Sequence, residues 1–346
     1  MSHTFRFSHP EPTPVRTRVW PVFLPFAGCP YRCVFCAQDK QTGQDEADLE
    51  STLHALEADL DEALALGRGP YELAYFGGTF TALPPPWPET FLALAMRYRE
   101  RGLITHVRCS TRPDCVDELS LSRLRAQGLD MVELGVQSFD DTALKSSGRG
   151  YTGDVARAAC EIVKASGLAL GVQLLPGLPG DRPGMFASDV RIAADLEPET
   201  ARLYPCLVIK GTLMARMWAR GEYEPWTLER AKSELAEALP VLWGKSVRVI
   251  RLGLAPEGTL EGNIAAGPWH PAFGQSVRGM ALLEILRVEI NRFGGCGTHL
   301  DVPRRYSGEL YGHGRELASL YFDLGLSESS ISFVDGDCFE LKSTPR

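Results

Sequence analysis

Three cysteines lie within eight positions near the beginning of this 346-residue sequence, in the stretch FAGCPYRCVFC. Cys29, Cys33 and Cys36 have the spacing Cys-x3-Cys-x2-Cys. Three thiolates this close together suit an iron–sulfur cluster or zinc. A structural zinc site usually takes four protein ligands, whereas three thiolates on a four-iron cluster leave one iron open for another ligand. The spacing favours the open cluster; a zinc knuckle and a chance group of buried thiols are the alternatives.

A glycine-rich turn follows the next apolar stretch. The letters FGGTF place Gly77, Gly78 and Thr79 directly after residues 71–76, which are predicted to form a strand. Glycine lets a backbone approach a ligand closely. This turn either grips a ligand or simply closes the strand.

Polar residues also interrupt a predicted strand over residues 131–137. Glu133 and Gln137 lie within that apolar stretch, and Ser138 follows it. Polar groups that point into a core need hydrogen-bond partners. These three residues are therefore candidates for ligand binding or for a buried hydrogen-bond network.

Apolar strand patterns alternate with amphipathic helix patterns from residue 19 to residue 252, in repeats of roughly 25–35 residues. This alternation predicts an α/β fold, in which about six βα units surround a parallel sheet that forms an open or closed barrel. One strand is predicted over residues 201–209. Active residues are expected at the carboxyl ends of the strands, where the motifs above fall. Residues 1–18 are predicted to be an N-terminal tail, and residues 253–346 a C-terminal α+β extension that covers the barrel mouth.

Charge and hydropathy exclude some classes of protein. The net charge of −8 argues against a broad basic face for nonspecific nucleic-acid binding, although a local basic groove stays open. No stretch has the pattern of a signal peptide or of a transmembrane helix. Nine cysteines without a secretion signal fit a reducing compartment. The predicted location is the cytoplasm, with no membrane partner.

The three-cysteine loop resembles that of the radical S-adenosylmethionine (SAM) superfamily. In that superfamily the cysteines hold a 4Fe–4S cluster, and the amine and carboxylate of SAM chelate its open iron. An electron then cleaves SAM to methionine and a 5′-deoxyadenosyl radical, which abstracts a hydrogen atom from a substrate. The resemblance implies both cofactors here, and Phe35 matches the aromatic residue that packs near the adenine.

The resemblance also implies roles for residues after the loop. The turn at Gly77, Gly78 and Thr79 matches the one that binds the methionine amino group. Polar residues near the fourth strand line the SAM cleft or the substrate pocket in this superfamily, and a lysine after the sixth strand approaches the SAM carboxylate or the substrate. In this sequence those positions are Glu133, Gln137, Ser138 and Lys210.

The likeness extends over residues 20–252 and implies a partial (β/α)6 radical SAM barrel. This stretch of the sequence is similar to the core of oxygen-independent coproporphyrinogen oxidase and, more sharply, to that of the Elongator catalytic subunit. The stretch YPCLVIKGTLMARMWARGEYEPWT, residues 204–227, carries the second likeness. No convincing pyrophosphate loop for acetyl-CoA follows, so the acetyltransferase domain of the Elongator-type enzymes is not expected.

Residues 265–279 are rich in turn-forming residues and contain Trp269, His270 and Arg278. This loop either presents these three side chains to a substrate at the barrel mouth or packs there as a cap. Cys296, in the letters GGCGTH, is either a reactive thiol or an inert turn residue. The other cysteines outside the loop are isolated, so a second cluster is not expected.

The leading hypothesis is a radical SAM enzyme that abstracts a hydrogen atom from an RNA base or a small molecule. It requires an external electron donor of the flavodoxin or ferredoxin type. One alternative is a non-catalytic iron–sulfur sensor or RNA-binding protein on the same fold, and another is a zinc-stabilised structural module. The sequence does not specify the substrate.

Overall fold

A parallel sheet of seven strands, curled into a half-barrel, forms the centre of the protein. The computed structural model describes residues 4–12, 17–43, 47–254, 258–292 and 298–343. Numbered in chain order, the strands are β1 (Thr4–Ser8), β2 (Arg18–Phe23), β3 (Tyr71–Phe76), β4 (Ile104–Thr111), β5 (Met131–Gln137), β6 (Ala169–Leu174), β7 (Thr200–Leu203), β8 (Val208–Ile209), β9 (Arg248–Leu252), β10 (Ile264–Ala266), β11 (Thr298–Pro303), β12 (Ile331–Val334) and β13 (Cys338–Ser343).

Helices alternate with the central strands and bury their apolar faces against them. Several begin at a side chain that accepts a hydrogen bond from the first turn, as Asp48, Asp117, Thr152 and Thr227 do. None of the helices in the described residues is long and apolar enough to span a lipid bilayer. The helices are α1 (Gln38–Thr42), α2 (Leu49–Ala65), α3 (Trp87–Glu100), α4 (Glu118–Ala126), α5 (Asp141–Ser146), α6 (Gly153–Ala165), α7 (Met185–Asp195), α8 (Leu213–Ala219), α9 (Leu228–Trp243), α10 (Gly258–Glu261), α11 (Phe273–Arg292), α12 (Ser307–Leu310) and α13 (Ala318–Asp323).

The central sheet has the order β2-β3-β4-β5-β6-β7-β9, and every neighbouring pair is parallel. The predicted α/β partial barrel is confirmed. The strand predicted over residues 201–209 is divided, because the chain leaves the sheet after β7 and β8 pairs with β10 instead. Pro205 lies between them and has no backbone N–H to donate to a ladder. All seven carboxyl ends meet at one edge of the sheet, so the loops that follow them are neighbours.

The N-terminal segment is not wholly a tail. Strand β1 pairs antiparallel with β13, in a second sheet of order β1-β13-β11-β12. In β1 every second residue faces the same side, which brings Phe5 and Phe7 onto the small core below this sheet. The rings of Phe7 and Phe339 are 5.1 Å apart. The predicted tail over residues 1–18 is therefore wrong for β1, which gains both a ladder and apolar contacts.

Most of the C-terminal extension lies beside the half-barrel rather than over its mouth. Helix α11 packs against α9, and its residues Val277 and Ala281 join the main core. Farther along α11, Leu286 and Ile290 enter the core of the second sheet. Of the described residues of the extension, those around α10 and β10 reach the mouth, where β10 pairs with β8. The predicted cover is therefore confined to this segment, because the apolar faces of α11 are occupied by α9 and the small sheet.

His9 is a buried link between the N-terminal segment and the rest of the chain. Its ring stacks on Tyr306 at 4.7 Å and meets the edge of Trp243 at 4.9 Å. Burial, helped by the positive charges of Arg278 and Arg305, lowers the pKa of His9 from 6.5 to about 4. The ring is therefore neutral in the folded protein under ordinary conditions.

We expect this histidine to make folding stability depend on pH. Between pH 6.5 and about 4 the unfolded chain binds a proton at His9 that the folded chain does not. The free energy of unfolding should therefore fall as the pH falls through this window, by up to about 1.4 kcal/mol per pH unit from this residue. Urea unfolding of the metal-free chain at several pH values measures it. His9→Phe should flatten the profile, whereas His54→Gln, on the exposed face of α2, should not; parallel profiles for wild type and His9→Phe would contradict the assignment.

Candidate active site

A cavity of about 360 Å³ opens where the central strands end. Its wall comes from the loop after β2, the turn after β3 and side chains near the ends of the remaining central strands. Carboxyl ends of parallel strands are the usual place for active residues in folds of this kind. The position predicted for the chemistry is thus a real cavity.

All three cysteines of the loop line this cavity. Cys33 is buried, and the other two are half-buried. The Arg149 guanidinium donates a hydrogen bond to the Cys33 Sγ at 3.2 Å, and the Thr79 Oγ1 lies 3.2 Å from the Cys29 Sγ. Each of these two sulfurs is therefore held by a polar partner from another element.

The cysteine loop and the glycine turn are in backbone contact. The Thr79 N–H donates to the Ala27 carbonyl at 2.7 Å. The Gln38 Oε1 accepts from the backbone N–H groups of both Phe26, at 2.6 Å, and Gly78, at 3.1 Å. A Cβ at Gly78, where φ is +56°, would lie 2.2 Å from the Ala27 carbonyl oxygen. Glycine is required there because the two backbones leave no space for a side chain.

The cavity wall is positively charged. Five arginines line it, and none of the described lining residues is Asp or Glu. Two of the five are paired with carboxylates nearby: Arg112 with Asp114 at 2.8 Å, and Arg202 with Glu133 at 3.1 Å. The remaining three have no ion pair within the described ranges. They are Arg32, Arg149 and Arg251.

Burial also acts on the thiols. It raises the pKa of Cys36 to about 12 and raises that of Cys29, and the neighbouring cysteines add to the effect at Cys36. Without a metal these two side chains are therefore neutral thiols at physiological pH. A group that binds them as thiolates must displace their protons, and the arginines of the wall stabilise the resulting negative charge.

The residues present fit a four-iron cluster better than a single metal ion. The donor set consists of three sulfurs on one short loop, and such thiolates are the ligands of iron–sulfur clusters. Within the described ranges no three His, Cys, Asp or Glu side chains converge closely enough to hold one ion. A cluster does not require that convergence, because each thiolate binds a different iron.

Several predicted cofactor residues share the cavity with the cysteines. Phe35, Gly77, Gly78 and Gln137 all line it. Gln137 has a φ of +68°, which is uncommon outside glycine and is typical of functional positions. The structure therefore brings these four together with the cysteine loop.

Thr79 and Glu133 are close to the cavity but do not line it. Thr79 is fully buried and holds the cysteine loop through the Ala27 carbonyl and Cys29. Glu133 is 1% exposed and bridges Arg108, at 2.7 Å, and Arg202. Both residues position side chains of the cavity wall. For Glu133, of the two roles predicted from the sequence, the structure supports membership of a buried hydrogen-bond network rather than ligand binding.

Ser138 and Lys210 lie outside the cavity, which corrects their predicted place in it. The Ser138 hydroxyl donates to the buried Asp189 carboxylate at 2.7 Å. Ser138 follows the last residue of β5 and points toward α7, where Asp189 lies, and not into the cavity. The Lys210 ammonium is exposed and donates to the Gly262 carbonyl at 2.9 Å, which ties β8 to the segment before β10.

None of the three predicted substrate residues reaches the cavity. The Arg278 guanidinium is held by the Glu11 carboxylate and the Val249 carbonyl. Trp269 packs against a small apolar cluster, and His270 lies 5.1 Å from the ring of His313. The cluster that Trp269 packs against consists of Ala37, Leu207, Ile209 and Leu260, all of which line the cavity, so the cap alternative describes Trp269. Arg278 and His270 have partners away from the cavity. Cys296 lies outside the described residues.

The arginines of the wall were missed from the sequence. Arg202 and Arg251 stand in the apolar strands β7 and β9, as Glu133 does in β5. The same signal, a charge inside a buried strand, could have found both. Arg112 follows β4 and Arg149 follows α5, both in loops, and no local pattern distinguishes them from surface arginines.

We expect the backbone contact to be required for metal binding. At Gly28, where φ is +72°, a Cβ would lie 2.4 Å from the Thr79 carbonyl oxygen, so Gly28→Ala should displace the cysteine loop. Iron bound per chain after anaerobic reconstitution should then fall several-fold. Gly43→Ala is the matched control, because Gly43 has the same φ but no atom within 4 Å of the added Cβ. An equal loss in both variants would show that backbone strain alone, and not the contact, is responsible.

Ser138→Ala should lower stability without lowering the iron content. The substitution leaves a buried oxygen of Asp189 without its donor, which costs about 1–3 kcal/mol. Burial raises the pKa of Asp189 to about 6, so this carboxylate depends on its donors at neutral pH. Urea unfolding and iron analysis measure the two quantities. Loss of iron with unchanged stability would place Ser138 back among the cofactor residues.

Two family models match the chain. The model described as the radical SAM superfamily matches residues 23–192, and the model described as the radical SAM C-terminal domain matches residues 198–281. The cysteine loop and all the residues that line the cavity lie within these two matched stretches.

Curated relatives have similar sequences over part of their length. A tRNA uridine(34) acetyltransferase of Methanocaldococcus infernus is 29% identical over 283 residues, which are 69% of this chain and 53% of that protein. Elongator complex protein 3 of Homo sapiens is 28% identical over 230 residues, 56% of this chain and 40% of that protein. The chain thus spans about half the length of the curated relatives it matches.

A solved structure shares the fold. The archaeal Methanocaldococcus infernus Elp3 with an N-terminal deletion superposes with a TM-score of 0.59 at 23% identity, over 84% of this chain and 67% of that one. The predicted likeness to the Elongator-type radical SAM core is confirmed. The chain belongs to the radical SAM superfamily, whose enzymes use a 4Fe–4S cluster and SAM.

Proposed function

We propose that the protein is a radical SAM enzyme that abstracts a hydrogen atom during the modification of a tRNA uridine. The observation that carries the proposal is the single cavity that joins three cysteines, a glycine turn and an arginine-rich wall at the strand ends. The relatives named tRNA uridine(34) acetyltransferase support an RNA base as the substrate. A cytoplasmic location, where thiols stay reduced, is part of the proposal.

The loop and the turn would hold the two cofactors side by side. Cys29, Cys33 and Cys36 would bind three irons of the cluster, and the backbone of Gly77 and Gly78 lies against the same loop for the methionine part of SAM. When bound, the cluster and SAM supply a carbon-centred radical that removes a hydrogen atom from the substrate.

The protein's own side chains would bind and orient the cofactors and the substrate and shield them from water. Arg149 is a buried cation without a carboxylate partner in the described residues, and it compensates negative charge at Cys33. Aromatic and aliphatic side chains, among them Phe35 and Leu207, make part of the wall apolar, which limits the access of water. At the rim, the Arg32 guanidinium lies over the Phe26 ring at 3.8 Å and is exposed. Such a planar cation is a surface on which an RNA base can stack.

The electron would come from an external donor of the flavodoxin or ferredoxin type. The exposed part of the cysteine loop is formed by Pro30, Tyr31 and Arg32. Tyr31 is 39% exposed, and its hydroxyl is bound by Arg112. This stretch is the point at which a donor comes nearest to the cysteines.

The test is SAM cleavage by the full chain. After anaerobic reconstitution the protein should hold about four irons and, once reduced, release 5′-deoxyadenosine from SAM. A tRNA transcript with uridine at position 34 should stimulate release several-fold over the same transcript with cytidine there. Deuterium placed on the reactive carbon of the substrate should appear in 5′-deoxyadenosine.

Two cysteine variants make the controls. Cys33→Ala should abolish both iron binding and cleavage, whereas Cys338→Ser, at an exposed cysteine of the small sheet, should leave both unchanged. A colourless protein that binds one zinc tightly would overturn the proposal. An intact cluster that never cleaves SAM would instead favour a non-catalytic sensor, and equal stimulation by both transcripts would exclude uridine 34 as the target.

A further inference from the structure

Two arginines stand side by side on the last strands of the half-barrel. Arg202 of β7 and Arg251 of β9 are register partners in the parallel ladder, and both side chains line the cavity. Like charges on directly neighbouring strand positions destabilise a sheet. A sheet that retains such a pair in its cavity wall therefore keeps it for a reason other than stability.

The two arginines differ in their partners. The Arg202 Nε lies 3.1 Å from a Glu133 carboxylate oxygen, and its Nη1 donates to the Tyr204 hydroxyl at 3.1 Å. Arg251 makes no ion pair and no hydrogen bond with any of the described residues, although it is half-buried. Arg202 is thus held in place by the protein, while no described residue occupies the donors of Arg251.

The cofactors do not provide the missing anion. The cysteine loop follows β2, at the opposite end of the strand order from β9, and its guanidinium partners are Arg112 and Arg149. SAM carries a sulfonium cation, and its ammonium offsets its carboxylate, so it brings no net negative charge. A positive site therefore remains at the β7–β9 side after both cofactors are bound.

We propose that Arg202 and Arg251, with the Tyr204 hydroxyl beside them, form a subsite for a phosphate group of the substrate. Guanidinium groups present several donors in a fixed plane and bind phosphate through paired hydrogen bonds. Leu254 and Leu260 line the cavity as well, and they exclude water from part of it. This inference rests on the proposed function, because it assigns the subsite to a phosphate that flanks the reactive base.

The experiment measures binding of phosphate-containing probes to the reconstituted full chain with an oxidised cluster and saturating SAM, where no cleavage occurs. Calorimetry at fixed ionic strength gives the dissociation constants of inorganic phosphate and of the trinucleotide UpUpU. Both should bind, and the trinucleotide more tightly if RNA supplies the phosphate. Malonate, a dicarboxylate, should bind at least tenfold more weakly than phosphate.

Variants of Arg251 isolate the subsite. Arg251→Gln should raise the dissociation constant of the trinucleotide about ten- to a hundredfold, as expected for the loss of a charged hydrogen-bond donor. The dissociation constant for Arg251→Lys should lie between those of the wild type and Arg251→Gln, because lysine keeps the charge and lacks the planar pair of donors. Arg248→Gln is the matched control on the same strand, since Arg248 pairs with Glu199 and does not line the cavity. Arg202 is left intact, because its removal would strip the buried Glu133 of a partner.

A second measurement separates binding from folding. Without ligand, Arg251→Gln should unfold at the same temperature as the wild type or slightly higher, because one member of a repelling pair is removed. Unchanged trinucleotide binding by Arg251→Gln, an equal loss in Arg248→Gln, or tighter binding of malonate than of phosphate would overturn the subsite. SAM cleavage is a separate readout, so an enzyme that cleaves SAM but fails these tests would refute the subsite and keep the proposed function.

Discussion

The close approach of two backbones is the constraint on which the site depends. The loop after β2 and the turn after β3 touch without an intervening side chain, and Thr79 and Gln38 hydrogen-bond across the contact. Adjacent parallel strands bring these two connections together, and glycines at Gly28 and Gly78 allow them to meet. The three sulfurs obtain their positions from this contact rather than from a rigid helix or strand of their own.

The second organising factor is uncompensated positive charge. A cavity wall with five arginines and no carboxylate among its described residues would be costly in an ordinary core. Glu133 and Asp114 offset two of these charges from behind the wall. The three remaining arginines fit a site that has cysteine thiolates at one side and binds an anionic ligand at the other. Electrostatics and cofactor geometry therefore support the same interpretation.

The sequence predicted those features that depend on local residue spacing or on the alternation of strands and helices. The cysteine loop, the glycine turn and the parallel strands are local, and each was found with its place at the strand ends. The direction of single side chains was harder: Gln137 faces the cavity and Ser138, one residue later, bonds Asp189. Long-range contacts were not accessible at all. The partner of β1 lies at the other end of the chain, and Arg278 is held by Glu11 through packing that no spacing shows.

The pairing of β1 with β13 has a consequence for synthesis on the ribosome. The ladder joins Thr4 to Lys342, so the small sheet is completed only after β13 has emerged. The parallel half-barrel, whose strand neighbours follow one another in the chain, can form well before that point. Until then Phe5, Phe7 and the apolar side of α11 lack part of their cover. The apolar side of β1 is therefore among the last of the described surfaces to be buried as the chain is synthesised.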